Sequence, residues 1–104
     1  MSTTKTTRNL TDSELEKVAA QFRLLGEPMR LKILQALCRG PLAVGEIVAA
    51  TRATQSNVSK HLALMTAAGI ITRQKDGLFV YYEIGNPLTL KLCELVHKEL
   101  LKQT

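Results

Sequence analysis

The most reactive side chains in this 104-residue sequence are two thiols and a nearby imidazole: Cys38, Cys93 and His97. In a reducing compartment a structural disulfide between two cysteines is disfavoured. Cys38 and Cys93 therefore read either as reactive thiols or as small buried hydrophobes. Cys93 and His97 are four positions apart, so on a helix they share a face. Thiolate and imidazole suit soft or borderline ions, but two ligands per chain are too few unless Cys38 or a second subunit adds to them. A different chemistry belongs to the run Thr54, Gln55, Ser56, Asn57, Ser59, Lys60 and His61. These short, forked or basic side chains can read base edges or hold phosphates. The alternative is the ordinary solvated face of an amphipathic helix. Arg73 and Lys75 add positive charge further along the chain.

The elements that position these groups can be read from spacing. Thr11 to Glu14 form a capping box, and Leu15, Val18, Ala19, Phe22 and Leu25 recur at helical intervals until Gly26. Pro28 suits the first turn of a second helix, with Leu31, Ile33, Leu34, Leu37 and Cys38 on its apolar side and Gly40-Pro41 as its stop. A short third helix covers about Val44 to Ala50, and Thr51 to Thr54 make a polar turn. Thr54 caps a fourth helix, Gln55 to Ala67, in which Val58, Leu62 and Met65 face inward and Gly69 is the stop. Ile70 to Lys75 and Leu78 to Ile84 flank Asp76-Gly77, a hairpin signal. Asn86 and Pro87 open a last helix to about Lys102, with Leu88, Leu92, Leu95, Val96 and Leu100 along one side. The fold class is mainly α with one β-hairpin. Two short helices joined by a tight turn and followed by a hairpin are the parts of a winged helix-turn-helix, with about five helices and a two-stranded wing. In that arrangement the second helix of the pair enters the major groove.

Composition agrees. The net charge is +5 and hydrophobic residues make up 45% of the chain, which fits one domain with a packed core and an anionic partner. No apolar run approaches the roughly 20 residues of a membrane span. Residues 1–10 read as a polar, disordered tail and not as a secretion signal, and residues 11–104 as the folded domain, which points to the cytoplasm. There is no phosphate-cradling loop, no evident carboxylate pair and no Cys-His nucleophile beyond the helical pair above, so nothing supports an enzyme, and no cofactor is expected. A winged helix that binds protein rather than DNA is the competing class.

Several segments resemble one family. Thr54-Gln55-Ser56-Asn57-Val58-Ser59-Lys60-His61-Leu62 is similar to the recognition-helix signature of ArsR/SmtB repressors. Leu25 to Leu34 resembles the start of that family's second helix, Val44-Gly45-Glu46-Ile47 its third, and Ala68 to Ile71, Asp76-Gly77 and Val80 to Tyr82 its wing. The likeness covers roughly residues 12–102. It implies a homodimer built on the first and last helices, binding to an inverted repeat in double-stranded operator DNA, and repression relieved by an effector. Without the resemblance, the apolar stripes of those two helices would serve a monomer core equally well. His61, matched to a histidine of the family, reads mostly as packing or phosphate contact.

The resemblance also locates possible sensors. The family's metal site at the third helix uses cysteine, but Pro41-Leu42-Ala43-Val44-Gly45 has none. The zinc site on the last helix falls on Asn86, Leu88, Glu99 and Lys102, a set poor in ligands, and the N-terminal tail carries neither Cys nor His. Cys38 and Cys93 remain, one each in the second and last helices. That is the distribution of members that sense sulfane sulfur or oxidants, although the helical turns differ. The expectation is a thiol switch through Cys38 and Cys93, with a soft metal or metalloid at Cys93 and His97 as the alternative.

Overall fold

A computed structural model of the chain describes residues 9–103. Most of the expected N-terminal tail lies outside the described residues. Among those described, five helices and one hairpin follow in the order α1 (Asp12–Leu25), α2 (Pro28–Leu37), α3 (Val44–Thr51), α4 (Gln55–Ala67), β1 (Ile71–Asp76), β2 (Phe79–Ile84) and α5 (Leu88–Lys102).

Local chemistry sets most of the boundaries. The capping box forms at α1: Glu14 N donates to Thr11 Oγ1 at 3.1 Å, and Thr11 N donates to Glu14 Oε1 at 2.8 Å. Pro28 stands at the start of α2, where Glu27 Oε1 accepts from Met29 N. The Thr54 hydroxyl caps α4 by accepting from Asn57 N. Several boundaries differ from the expectations, among them the first strand, which begins at Ile71 and not Ile70. Thr51 completes α3 instead of opening the turn, because its buried hydroxyl bonds back to the Ile47 carbonyl at 2.8 Å. The hairpin loop is Gly77-Leu78, since Asp76 pairs with Phe79. Gly77 alone supplies the positive φ, 64°, which is the pattern of a II′ turn with glycine first. Helix α5 begins at Leu88, one residue late, yet Asn86 Oδ1 still accepts from Leu88 N.

The core is built by Ile33, Leu34 and Leu37 of α2, Ile47 of α3, and Val58, Leu62 and Met65 of α4. Leu25, Ile70 and Ile71 close it. The hairpin is tied to this body by backbone bonds in both directions between Leu42 and Tyr82, and by Gly85 N donating to the Ile70 carbonyl. Gly85 suits this close approach, because a Cβ would stand 3.0 Å from both the Gly69 carbonyl oxygen and Thr72 Cγ2.

The two terminal helices do not share in the core to the same degree. Only Leu25 of α1 is buried, and α5 leans on the body through Thr89, Leu90 and Leu92. Phe22 is 60% exposed, Leu95 59% and Val96 58%, and Leu15, Val18, Leu88 and Leu100 are exposed as well. In a single chain, then, the apolar stripes are not a monomer core. Leu31 and Cys38 also depart from expectation: both are exposed, because the buried side of α2 is the Ile33-Leu34-Leu37 side. The Cα radius of gyration, 15.9 Å, exceeds the value of about 13 Å typical of a compact chain this long.

Candidate nucleic-acid interface

Helices α3 and α4 are joined by three residues, and the first of these, Arg52, ends α3 in the left-handed conformation with φ 60°. That position usually falls to glycine or asparagine. The turn sends α4 away with its apolar side, Val58, Leu62 and Met65, against α2 and α3. Over the first two turns the opposite side is polar, and Ala63, Leu64 and Ala67 are exposed nearer the C-terminal end. Thr54, Gln55, Ser56, Asn57, Ser59 and Lys60 are all exposed, as the sequence predicts, and α4 contains no acidic residue. Its N-terminal amides therefore meet solvent together with uncharged or basic side chains, a setting that favours an anion.

His61 differs from the other polar residues of α4. It is 7% exposed, and its Nδ1 accepts from Arg30 Nε of α2 at 3.1 Å. Its side chain faces the body, so it belongs with packing and not with the outward set.

On the wing, alternation puts Arg73 and Lys75 on one face of β1, in line with buried Ile71 nearer the body. Both basic side chains are exposed, and among the described residues neither forms an ion pair. Leu78 at the tip is 96% exposed. The basic groups of the candidate interface therefore come from two elements, Lys60 on α4 and Arg73 and Lys75 on the wing. Arg52 adds a third source that spacing does not reveal. Its charge is plain in the sequence, but its place beside the start of α4 depends on the left-handed turn.

The thiols stand elsewhere. Both cysteines are free, Cys38 exposed at the C-cap of α2 and Cys93 half-buried. Cys93 and His97 line an apolar hollow of about 330 Å³ between α1 and α5, together with Phe22, Leu25, Leu31 and Val96. Cys38 lines a separate hollow with Pro41, Pro87 and Leu90, and the two hollows have no lining residue in common. Among the described residues no three His, Cys, Asp or Glu side chains converge as a metal site, and Glu99 Oε2 has Lys102 Nζ at 3.4 Å. No helix of the described residues is long and apolar enough to cross a membrane.

A helix pair with an outward polar-basic second helix and a basic hairpin beside it defines a DNA-binding winged-helix protein. The family model described as "Bacterial regulatory protein, arsR family" matches residues 27–73, from the start of α2 into the wing. The arsenical resistance operon repressor of Bacillus subtilis is 33% identical over 96 residues, which are 86% of this chain and 91% of that protein. A Streptomyces lividans protein described as a probable mercury resistance operon repressor is 34% identical over 80 residues, 77% of this chain and 64% of that one. Among solved structures, the homodimeric winged helix-turn-helix DNA-binding domain Mb0332 of Mycobacterium bovis superimposes with a TM-score of 0.76 at 26% identity, covering 92% of this chain and 94% of that one. The chain belongs to the ArsR family of transcriptional regulators.

Proposed function

We propose that this protein is a cytoplasmic, homodimeric repressor that binds an inverted-repeat operator in double-stranded DNA and is released by a thiol-reactive effector, sulfane sulfur or an oxidant. The observation that carries the DNA half is the acid-free, exposed polar face of α4 next to the basic wing. Gln55, Ser56, Asn57 and Ser59 meet base edges, Thr54 holds the start of the helix, and Lys60, Arg73 and Lys75 hold phosphates. The exposed apolar stripes of α1 and α5 support the dimer, as does the homodimeric state of the Mycobacterium bovis relative.

Arg52 joins the phosphate contacts. A non-glycine residue in the left-handed region costs about 1–2 kcal/mol, and a charge facing the DNA backbone offsets that cost in function, not in stability. Arg52→Gly should therefore raise the unfolding free energy by about 1 kcal/mol in urea titration. The same change should weaken DNA binding and flatten its salt dependence by about two phosphates per dimer.

The effector half rests on Cys38 and Cys93 being free, with Cys38 exposed and Cys93 set between α1 and α5. A thiolate attacks a sulfane sulfur of a polysulfide and breaks its S–S bond. The cysteine becomes a persulfide and the shortened polysulfide leaves as the anion. Attack by the second thiolate on the cysteine sulfur of that persulfide expels hydrosulfide and leaves a disulfide, which needs Cα atoms within about 7 Å; retained sulfur atoms would bridge a wider gap. Polysulfide should lower the parent protein's affinity for its own promoter DNA, while Cys38→Ser and Cys93→Ser should be indifferent to it. Equal responses of parent and variants, followed by anisotropy, would remove the thiol switch.

The second reading, a soft metal or metalloid, draws on Cys93 and His97 lining one hollow and on the arsenical resistance relative. Its ligand set does not close within the described residues of one chain, so it requires the second subunit. A flat calorimetric titration with zinc and trivalent arsenic counts against it.

A further inference from the structure

We propose that Arg30 is a positioning residue that fixes the reading angle of α4 by tying it to the end of α1, and that it links the Cys93 hollow to the DNA face. The inference rests on α4 being the DNA-reading helix.

The bonding follows from the sequence. At the end of α1 the Leu24 carbonyl would ordinarily accept from the amide four residues on, but that residue is Pro28, which has no N–H. Arg30 Nη1 donates to this orphaned carbonyl at 3.0 Å. From the same guanidinium, Nε donates to His61 Nδ1 at 3.1 Å. An imidazole that accepts at Nδ1 carries its proton on Nε2, so His61 takes part as the neutral ring. Among the described residues, these are the side-chain hydrogen bonds that join one helix to another. The rest of the hold on α4 comes from Val58, Leu62 and Met65 in the core. Apolar burial sets no bond angles, so a small rotation of the helix about its axis is felt first by directional hydrogen bonds. A rigid guanidinium fork with two fixed donors opposes rotation, which a lysine ammonium cannot do in the same way.

The opposite end of the bridge borders the hollow that contains Cys93. Leu25 and Gly26, which follow Leu24, and Leu31, which follows Arg30, all line it. A group added at Cys93 that displaces this wall shifts the Leu24 carbonyl and the backbone of Arg30 and, through the guanidinium, His61 and the polar face of α4. The coupling thus needs no contact between the thiol and DNA.

The test compares Arg30→Met, Arg30→Lys, His61→Leu and His61→Asn with the parent, on promoter DNA and on a scrambled duplex of equal length. Thermal melts verify folding. His61→Asn keeps an acceptor oxygen near the place of Nδ1, whereas His61→Leu fills the space without one. Arg30→Met and His61→Leu should each lose about tenfold or more in affinity for promoter DNA, with little change on the scrambled duplex, and their losses should not add when combined. His61→Asn should recover most of the affinity. If Arg30→Met does not fold, Arg30→Lys carries the test, with a loss on promoter DNA expected although the charge is kept. Equal weakness of His61→Asn and His61→Leu would overturn the proposal, as would parent-like promoter binding by His61→Leu or Arg30→Lys. Parallel losses on both duplexes would also overturn it, by making Arg30 a phosphate contact. A parent protein that does not prefer its promoter would instead remove the DNA reading on which the proposal rests.

Discussion

The double substitution Leu95→Glu/Val96→Glu is expected to give a folded chain that sediments at 11.5 kDa instead of twice that mass and no longer holds operator DNA. Both side chains lie on the exposed apolar side of α5, and neither belongs to the buried core of Ile33, Leu34, Ile47 and Leu62. Stability of the single chain should therefore change little. In a twofold interface each substitution occurs twice, and a carboxylate taken out of water into an apolar seam costs several kcal/mol. Operator affinity should fall by about 10²–10⁴-fold, because one recognition helix loses the effective concentration its partner provides. Analytical ultracentrifugation and anisotropy on the same samples check both parts. A variant that still sediments as a dimer would place the subunit contact elsewhere.

The second large effect concerns sequence reading. Gln55→Ala and Asn57→Ala remove exposed forked amides near the start of α4 without touching Val58 or the Thr54 cap. The Asn57 backbone N–H, which donates to the Thr54 hydroxyl, survives the change of side chain. A bidentate base contact is worth about 1–3 kcal/mol of discrimination, and a symmetric operator counts it twice. Preference for promoter over scrambled DNA should fall by tenfold or more, while binding to the scrambled duplex and its salt dependence stay near those of the parent. Lys60→Ala is the contrasting case, weakening both duplexes alike. If Gln55→Ala and Asn57→Ala bound both duplexes as the parent does, the polar face of α4 would be merely solvated.

Much of this arrangement is legible in the chain because short-range chemistry fixes it. Thr11 with Glu14, Pro28, and Thr54 with Asn57 mark helix starts through bonds made within four residues. The outward set from Thr54 to Lys60 follows from the inward spacing of Val58, Leu62 and Met65. What spacing leaves open is decided by tertiary partners. Leu15, Phe22, Leu95 and Val96 have the periodicity of a core and yet face solvent, because a stripe does not say which surface covers it. Cys38 likewise follows the apolar side of α2 in sequence but lies at its C-cap, where the chain leaves the helix. His61 lies amid polar neighbours and turns inward because a residue 31 positions away, Arg30, offers it a donor. The hairpin loop moves by one residue because one positive φ at Gly77 suffices, so that Asp76 stays in the strand opposite Phe79.

The central claim, a dimer that reads DNA with α4 and the wing, is tested most directly by anisotropy titration of the reduced protein against its own promoter at a series of salt concentrations, with a scrambled duplex alongside. The expected result is two chains per operator and a clear preference for the promoter. Log affinity should fall linearly with log salt with a slope of about −7, as Arg52, Lys60, Arg73 and Lys75 from each of two chains would give. Weak binding that ignores both sequence and salt would contradict the account and make this winged helix a surface for protein.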